Sequence, residues 1–309
     1  MRILVTGATG YLGQAVVHEL VSDGHQVTAL LHRSRGPWNG SVSRLNADLL
    51  DPVAMLRAVA DVDAVCHLAA LTRVRHSQEA PGDYRRLNSG AVTTLLDALV
   101  QEHSRSERWR PLVFLSSGAV YGGGDRPLRE TDPVAPRSVY GATKLAAERE
   151  VAARTGTGAF GAATLRLFSA AGLTTTGIGP DPSTVISQTL LAAQRGHAVS
   201  VNGDGGTVRD FVHVRDVADA VALALAASRQ GEARTYNLGA AAATIRQIVE
   251  TAREVTGRSI PVEHRLTHPG DAPRLVADTR AARTELGWKP TRSDLSTMVA
   301  EQWHALHGA

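Results

Sequence analysis

Tyr140 and Lys144, in Tyr140-Gly-Ala-Thr-Lys144, set a phenol four residues before one of only two lysines in a chain of 309 residues; the other is Lys289. Residues four apart share a helix face, so the ammonium is expected close to the phenol, where it favours the ionised form. A phenol becomes a usable acid or base near neutrality when a fixed positive charge lies beside it. Ser117, in Phe114-Leu-Ser-Ser117-Gly-Ala-Val-Tyr-Gly122, falls at the predicted end of a strand. From there its hydroxyl can hold the oxygen that the tyrosine protonates.

The N-terminal residues supply a second chemical signal, Arg2-Ile-Leu-Val-Thr-Gly7-Ala-Thr-Gly10-Tyr-Leu-Gly13, followed by an amphipathic stretch from Ala15 to Val21. A buried strand running through a glycine turn into a helix is the context in which such a loop cradles a pyrophosphate. Gly7 permits the tight turn, Gly10 lets the backbone approach the phosphates, and Gly13 lets helix and strand pack closely. The spacing Gly-x-x-Gly-x-x-Gly is one residue longer than the usual dinucleotide fingerprint.

The elements that must position these residues follow from the apolar pattern. Strands are predicted at Ile3–Thr6, Val27–Leu31, Val65–Leu68, Leu112–Ser116 and Ala163–Leu167, with helices near Val53–Ala60, Ala91–Gln101 and Thr143–Arg154. Such alternation is the pattern of an α/β fold, a doubly wound parallel sheet. Beyond Phe168 the pattern changes: Gly172–Pro182 reads as a loop, Thr184–Arg195 and Asp216–Ala227 as helices, and the chain closes on an amphipathic segment through Leu295, Met298, Val299 and Trp303. The expected division is a dinucleotide-binding Rossmann domain over 1–168 and a smaller substrate lobe over 169–309, with a later segment near 208–240 packing back onto the first.

Hydrophobic content of 43% places the chain in the globular class, and 309 residues can bury a large core. The single Cys66, within an apolar run, excludes a disulfide framework and a cysteine-based zinc site, and no metal is expected. Of 33 basic residues all but two are arginine, scattered without interleaved aromatics, and the net charge is +3, so no nucleic-acid partner is expected. No signal peptide precedes the first strand and no apolar run approaches the ~18 residues needed to span a membrane. The reading is a cytoplasmic enzyme.

Together these residues resemble the extended short-chain dehydrogenase/reductase family, and within it the UDP-galactose 4-epimerase group. The resemblance rests on the glycine loop, Ala47-Asp48-Leu49, His67-Leu-Ala-Ala70, Asn88, Ser-Ser-Gly-Ala-Val-Tyr-Gly at 116–122, Tyr140 with Lys144, Arg209-Asp-Phe-Val-His-Val-Arg-Asp216, and Pro269-Gly-Asp-Ala-Pro273 followed by Ala277-Asp278 and Glu285-Leu-Gly-Trp288. It implies cofactor contacts from Gly7, Gly10, Tyr11, Leu12, Gly13, His32, Arg33, Asp48, Leu49, Ala69, Asn88, Tyr140 and Lys144, with Asp48 on the adenine and Lys144 also on the nicotinamide ribose. It implies Ser117, Tyr140 and Lys144 as the catalytic set, and Ser117, Ser169, Arg209 and Asp271 as substrate contacts, with Arg209 on a diphosphate and Asp271 on a ribose. A homodimer is implied by the same resemblance.

Three departures shape the functional expectation. Gly118 and Ala119 stand where sugar dehydratases of this family carry an Asp-Glu pair, and neither can transfer a proton, which argues against net dehydration. Leu31, followed by His32-Arg33-Ser-Arg35, replaces the acid that ends the second strand of NAD-preferring members. Without that carboxylate, Arg33 or Arg35 can grip a 2′-phosphate, so NADP(H) is preferred, with NAD(H) as the alternative. Ser169, Val185 and His268 replace polar groups that hold the UDP moiety in the epimerases. These changes favour NADPH-dependent reduction of a nucleoside-diphosphate 4-ketosugar. The alternative is an NAD-dependent nucleoside-diphosphate-hexose 4-epimerase acting through a transient 4-ketosugar. A non-catalytic NAD(P)-binding sensor is a remote third, since such proteins usually lose the tyrosine or the lysine. The substrate is expected to be a nucleotide sugar or another small ketone or alcohol.

Overall fold

The computed structural model describes residues 1–32, 36–38, 40–267 and 272–306. Seven parallel strands form the main sheet, in the order Ala233–Leu238, Phe160–Leu167, Arg110–Ser117, Ala64–His67, Arg2–Thr6, Gln26–Leu31, Ser43–Asn46. Parallel strands covered on both faces read as unbroken apolar runs. Accordingly Ala64–His67 and Phe160–Leu167 are buried along their whole length. Side chains still alternate between two cores, as the pleat requires. Ile3, Val5, Val113 and Leu115 face one cluster, which takes in Tyr11–Ser22 and Val214–Ala227. Leu4, Leu112 and Phe114 face the other, built against Pro52–Ala60, Ala91–Ser106 and Val139–Arg154.

All five strands expected from the sequence lie in this sheet, within a few residues of the expected ends. The strand Ser43–Asn46 was not expected. It sits at the edge, only Leu45 points toward the core, and its polar residues carry no apolar alternation. Ala233–Leu238, far along the chain, closes the opposite edge beside Phe160–Leu167. Ala282, Leu286 and Trp288 also pack into the core of the main sheet.

The remaining strands form a second centre. Val208–His213 pairs antiparallel with Ala241–Thr244, and on its other side parallel with Ser169–Ala171 near one end and Arg274–Leu275 near the other. Val199–Asn202 pairs with Val262–Arg265. Around them the helices Val185–Arg195, Ile245–Thr256 and Leu295–Ala305 share a third apolar core.

The strand Arg2–Thr6 has Gln26–Leu31 on one side and Ala64–His67 on the other. Chain direction across the sheet therefore reverses there, and in open parallel sheets ligands bind at the carboxyl ends of the strands flanking such a reversal. Thr6 and His67 mark that crevice. Among the described residues no helix is long and apolar enough to cross a membrane, and no cluster of three or more His, Cys, Asp or Glu could hold a metal ion.

Candidate active site

The glycine loop opens directly from the first strand. Gly7 has φ +68, and a Cβ there would lie 2.7 Å from the Ala69 nitrogen, so only glycine lets the turn abut the Leu68–Ala69 backbone. A Cβ on Gly13 would fall 2.0 Å from the Gly7 carbonyl oxygen, so this glycine seats the helix against the loop itself and not only against the strand. Gly10 behaves differently: its backbone is extended, and a Cβ would meet only the Gly7 oxygen, at 3.2 Å. Gly10 is also the N-cap of Tyr11–Ser22 and provides no side-chain cap. The amides of Tyr11, Leu12 and Gly13 consequently have no acceptor within the described chain, and the first intrahelical bond runs from Gln14 to Gly10. Free amides at a helix N-terminus, with open space before a glycine, fit a pyrophosphate.

Neighbouring residues brace this crevice. The Thr6 hydroxyl accepts from the Leu68 and Ala69 amides at 3.2 and 3.3 Å and hydrogen-bonds His67 Nδ1 at 3.0 Å. Asn88 is buried; its Oδ1 accepts from the Leu71 amide at 2.8 Å, while its Nδ2 donates to Leu71 O and to Thr143 Oγ1. It lies in a π-helical turn, Arg85–Gly90, a feature that often accompanies functional sites. Asn88 thus ties the segment after Ala69 to the helix of Tyr140. Asp48 is exposed and caps a turn through the Leu50 amide at 2.9 Å, Leu49 is buried in the core, and His32 is exposed just past the second strand. Leu31 is only 2% exposed and packs in the core. Arg33 and Arg35 lie outside the described residues.

Ser117 ends its strand and Tyr140 is the second residue of Val139–Arg154. Ser138 caps that helix by accepting from the Gly141 amide at 3.1 Å. Gly141 allows the close approach, since a Cβ there would stand 2.3 Å from Ala119 O in the turn that follows Ser117. The phenol of Tyr140 hydrogen-bonds Ser117, its ring meets Tyr84 edge-on at 6.5 Å, and its amide donates to Ser77 Oγ at 3.1 Å. One turn on, the Lys144 ammonium lies 4.4 Å from the centroid of the Phe114 ring, which His67 stacks upon. The structure sets Tyr140 beside Ser117, with Lys144 one helical turn on against Phe114.

Their electrostatics differ from the simple expectation of a lysine that ionises the phenol. Burial raises the Tyr140 pKa, with the hydrogen bond from Ser117 opposing it. Burial also lowers Lys144 to about 7, against the pull of Glu148. His67 is pushed down to about 3 by burial and by Lys144, so it is neutral. Desolvation disfavours every charged form here and outweighs the benefit of spacing.

On the other side of the cleft, Ser169 starts the short strand beside Val208–His213, in register with Phe211. Phe168 lies under the turn after Ser117, where a Gly118 Cβ would touch its ring at 3.0 Å. Arg209 donates through one guanidinium nitrogen to Val208 O and Ala272 O at 2.9 and 2.8 Å. Asp271 and His268 lie outside the described residues. The adjacent Asp210 is a structural clamp, accepting from the Ala240 and Ala277 amides at 2.8 and 2.9 Å. Sequence reasoning missed Ser77, Thr143 and Asn88's grip on Leu71, because each depends on chain segments far apart in sequence. A separate cavity of about 580 Å³, lined by Val201, Asp204, Arg246 and His264 among others, shares no residue with the Ser117/Tyr140/Lys144 group.

Comparison with known proteins agrees with this geometry. Residues 3–239 match the model of the NAD dependent epimerase/dehydratase family. The chain is 33% identical to a UDP-glucose 4-epimerase of Corynebacterium glutamicum, over 98% of this chain and 95% of that protein. It is 35% identical to one of Streptomyces lividans, over 99% and 97%. Among solved structures, MoeE5 in complex with UDP-glucuronic acid and NAD superposes with a TM-score of 0.89 at 33% identity, covering 100% of this chain and 99% of that one. The UDP-glucose 4-epimerase of Thermus thermophilus in complex with NAD superposes at 0.87 with 29% identity, covering both chains in full.

Proposed function

This chain belongs to the NAD-dependent epimerase/dehydratase family and is an enzyme of the extended short-chain dehydrogenase/reductase type, and we propose that it inverts C4 of a UDP-linked hexose by reversible oxidation with NAD. The observation that carries this reading is likeness to UDP-glucose 4-epimerases over 98–99% of the chain.

Reduction of a 4-ketosugar, which the departures in sequence favoured, gives way to the epimerase. Those departures were losses of single polar contacts at Ser169, Val185 and His268. One hydrogen bond to a charged group is worth about 1.5–3 kcal/mol, enough to weaken a substrate's hold but not to change the reaction. The preference for NADP(H) gives way as well. It rested on Leu31 and Arg33; Leu31 is a core residue, and similar structures hold NAD. A sensor has no use for Ser117, Tyr140 and Lys144 held together.

Bound NAD supplies reversible hydride acceptance at the carbinol carbon. The free amides of Tyr11, Leu12 and Gly13 would hold its pyrophosphate, while Asn88 fixes the wall beside Ala69. Tyr140, once it has given up its own proton to solvent, would act as phenolate, taking the C4 hydroxyl proton as the carbonyl forms and returning it when the carbonyl is reduced. Ser117 donates to that oxygen throughout, and Lys144 steadies the charge on the phenol. Gly118 and Ala119 offer no acid or base at C5 or C6, so the ketone is returned as alcohol and not dehydrated. Arg209 and Ser169, on adjoining strands, lie on the substrate side, where a diphosphate must stay anchored while the hexose turns.

Purified protein with NAD is expected to interconvert UDP-glucose and UDP-galactose without net formation of NADH. NADPH consumption with a 4-ketosugar nucleotide, and no interconversion, would restore the reductase.

A further inference from the structure

Helix Val139–Arg154 carries three functional types at four-residue spacing: Tyr140, Lys144 and Glu148. Glu148 is only 6% exposed, and its carboxylate is gripped from two strands. Arg166 donates through Nε to both oxygens at 3.0 and 3.2 Å and through a terminal nitrogen at 2.7 Å; Ser116 donates its hydroxyl at 2.5 Å. Ser116 directly precedes Ser117, and Arg166 is itself fixed, donating to the Tyr121 hydroxyl at 2.6 Å and to Glu130 O at 3.2 Å. The Tyr121 hydroxyl in turn donates to Asn237 at 3.0 Å. One carboxylate therefore pins the reactive helix to the strand that ends in Ser117 and to the next strand of the sheet.

We propose that Glu148 is a positioning residue for this site, one that fixes the helix against Ser117 and keeps the Lys144 ammonium charged. The inference rests on the proposed function for its catalytic meaning but not for its physical content. Among the described residues Lys144 has no ion-pair partner. The groups that act on it are the Phe114 ring and neutral His67 from two strands, and Glu148 from its own helix. Glu148 is the only anion among them, and a buried ammonium with no nearby anion loses its proton. Arg166 holds the Glu148 carboxylate in place and moderates its field.

With two lysines in the chain, nitrogen-15 labelling of lysine gives two side-chain signals, of which Lys289 is the internal reference. In nucleotide-free protein the Lys144 signal should titrate near neutrality. In Glu148→Gln its midpoint should fall by about one pH unit or more, with Lys289 unmoved. Glu148→Asp, which keeps the charge, should return the midpoint toward that of the parent. Glu148→Gln leaves Arg166 buried without a partner and can unfold the protein, so Glu148→Gln with Arg166→Met serves as the second variant, with the same expected fall. A folded variant lacking the carboxylate in which Lys144 titrates as in the parent overturns the proposal. Failure of the parent to turn over UDP-hexoses would sink the proposed function and leave this titration standing.

Discussion

Tyr140→Phe should lower turnover of a UDP-hexose by about 10²–10⁴-fold, the range for a lost general acid or base, while NAD still binds. The substitution keeps the ring, its edge contact with Tyr84 and the amide bond to Ser77, so neither helix nor fold has reason to move. What disappears is the phenol hydroxyl that the proposed mechanism uses as its proton carrier. Ser117→Ala should lose less, because it removes a hydrogen bond to the reacting oxygen and not the proton carrier. Turnover, NAD affinity and melting temperature measured on the same preparations separate these effects. Near-normal turnover by Tyr140→Phe would contradict the assignment.

Gly10→Val should abolish NAD binding in a protein that still folds. Gly10 sits at φ −73 and ψ 169, extended backbone that valine adopts readily, and its Cβ would meet only the Gly7 oxygen. The branched side chain would instead occupy the space before the free amides of Tyr11, Leu12 and Gly13. Gly13 makes the contrast, since its Cβ would penetrate the loop itself and any substitution there should damage the fold. Titration with NAD alongside a thermal melt checks both points. Unchanged affinity in a folded Gly10→Val protein would mean that the loop does not approach the phosphates.

Much of this site was legible because its signals are local. Four residues on a helix bring Tyr140 and Lys144 to one face, and a strand, three glycines and a helix describe the loop proposed to hold a phosphate without any long-range knowledge. The buried strands were equally plain, being continuous apolar runs. Ser43–Asn46 escaped because an exposed edge strand needs no apolar face. The ionisation of the pair was misjudged for a deeper reason: spacing reports proximity, whereas the pKa values here follow burial, which depends on Phe114, His67 and Tyr84 from elsewhere in the fold. Glu148 stood in the sequence at the right interval, but its meaning depends on Arg166 and Ser116, which only the sheet brings to it. Substitutions at Ser169 and Leu31 were weighed as changes of chemistry; on the proposed function they are changes of single contacts within a retained architecture.

The central claim is that hydride leaves C4 and returns to the same carbon within one binding event. UDP-glucose carrying deuterium at C4, incubated in ordinary water with the protein and NAD, tests it directly. The account predicts UDP-galactose that retains the deuterium at C4. Deuterium lost to water, or found in released NADH beside an accumulating ketone, would contradict it.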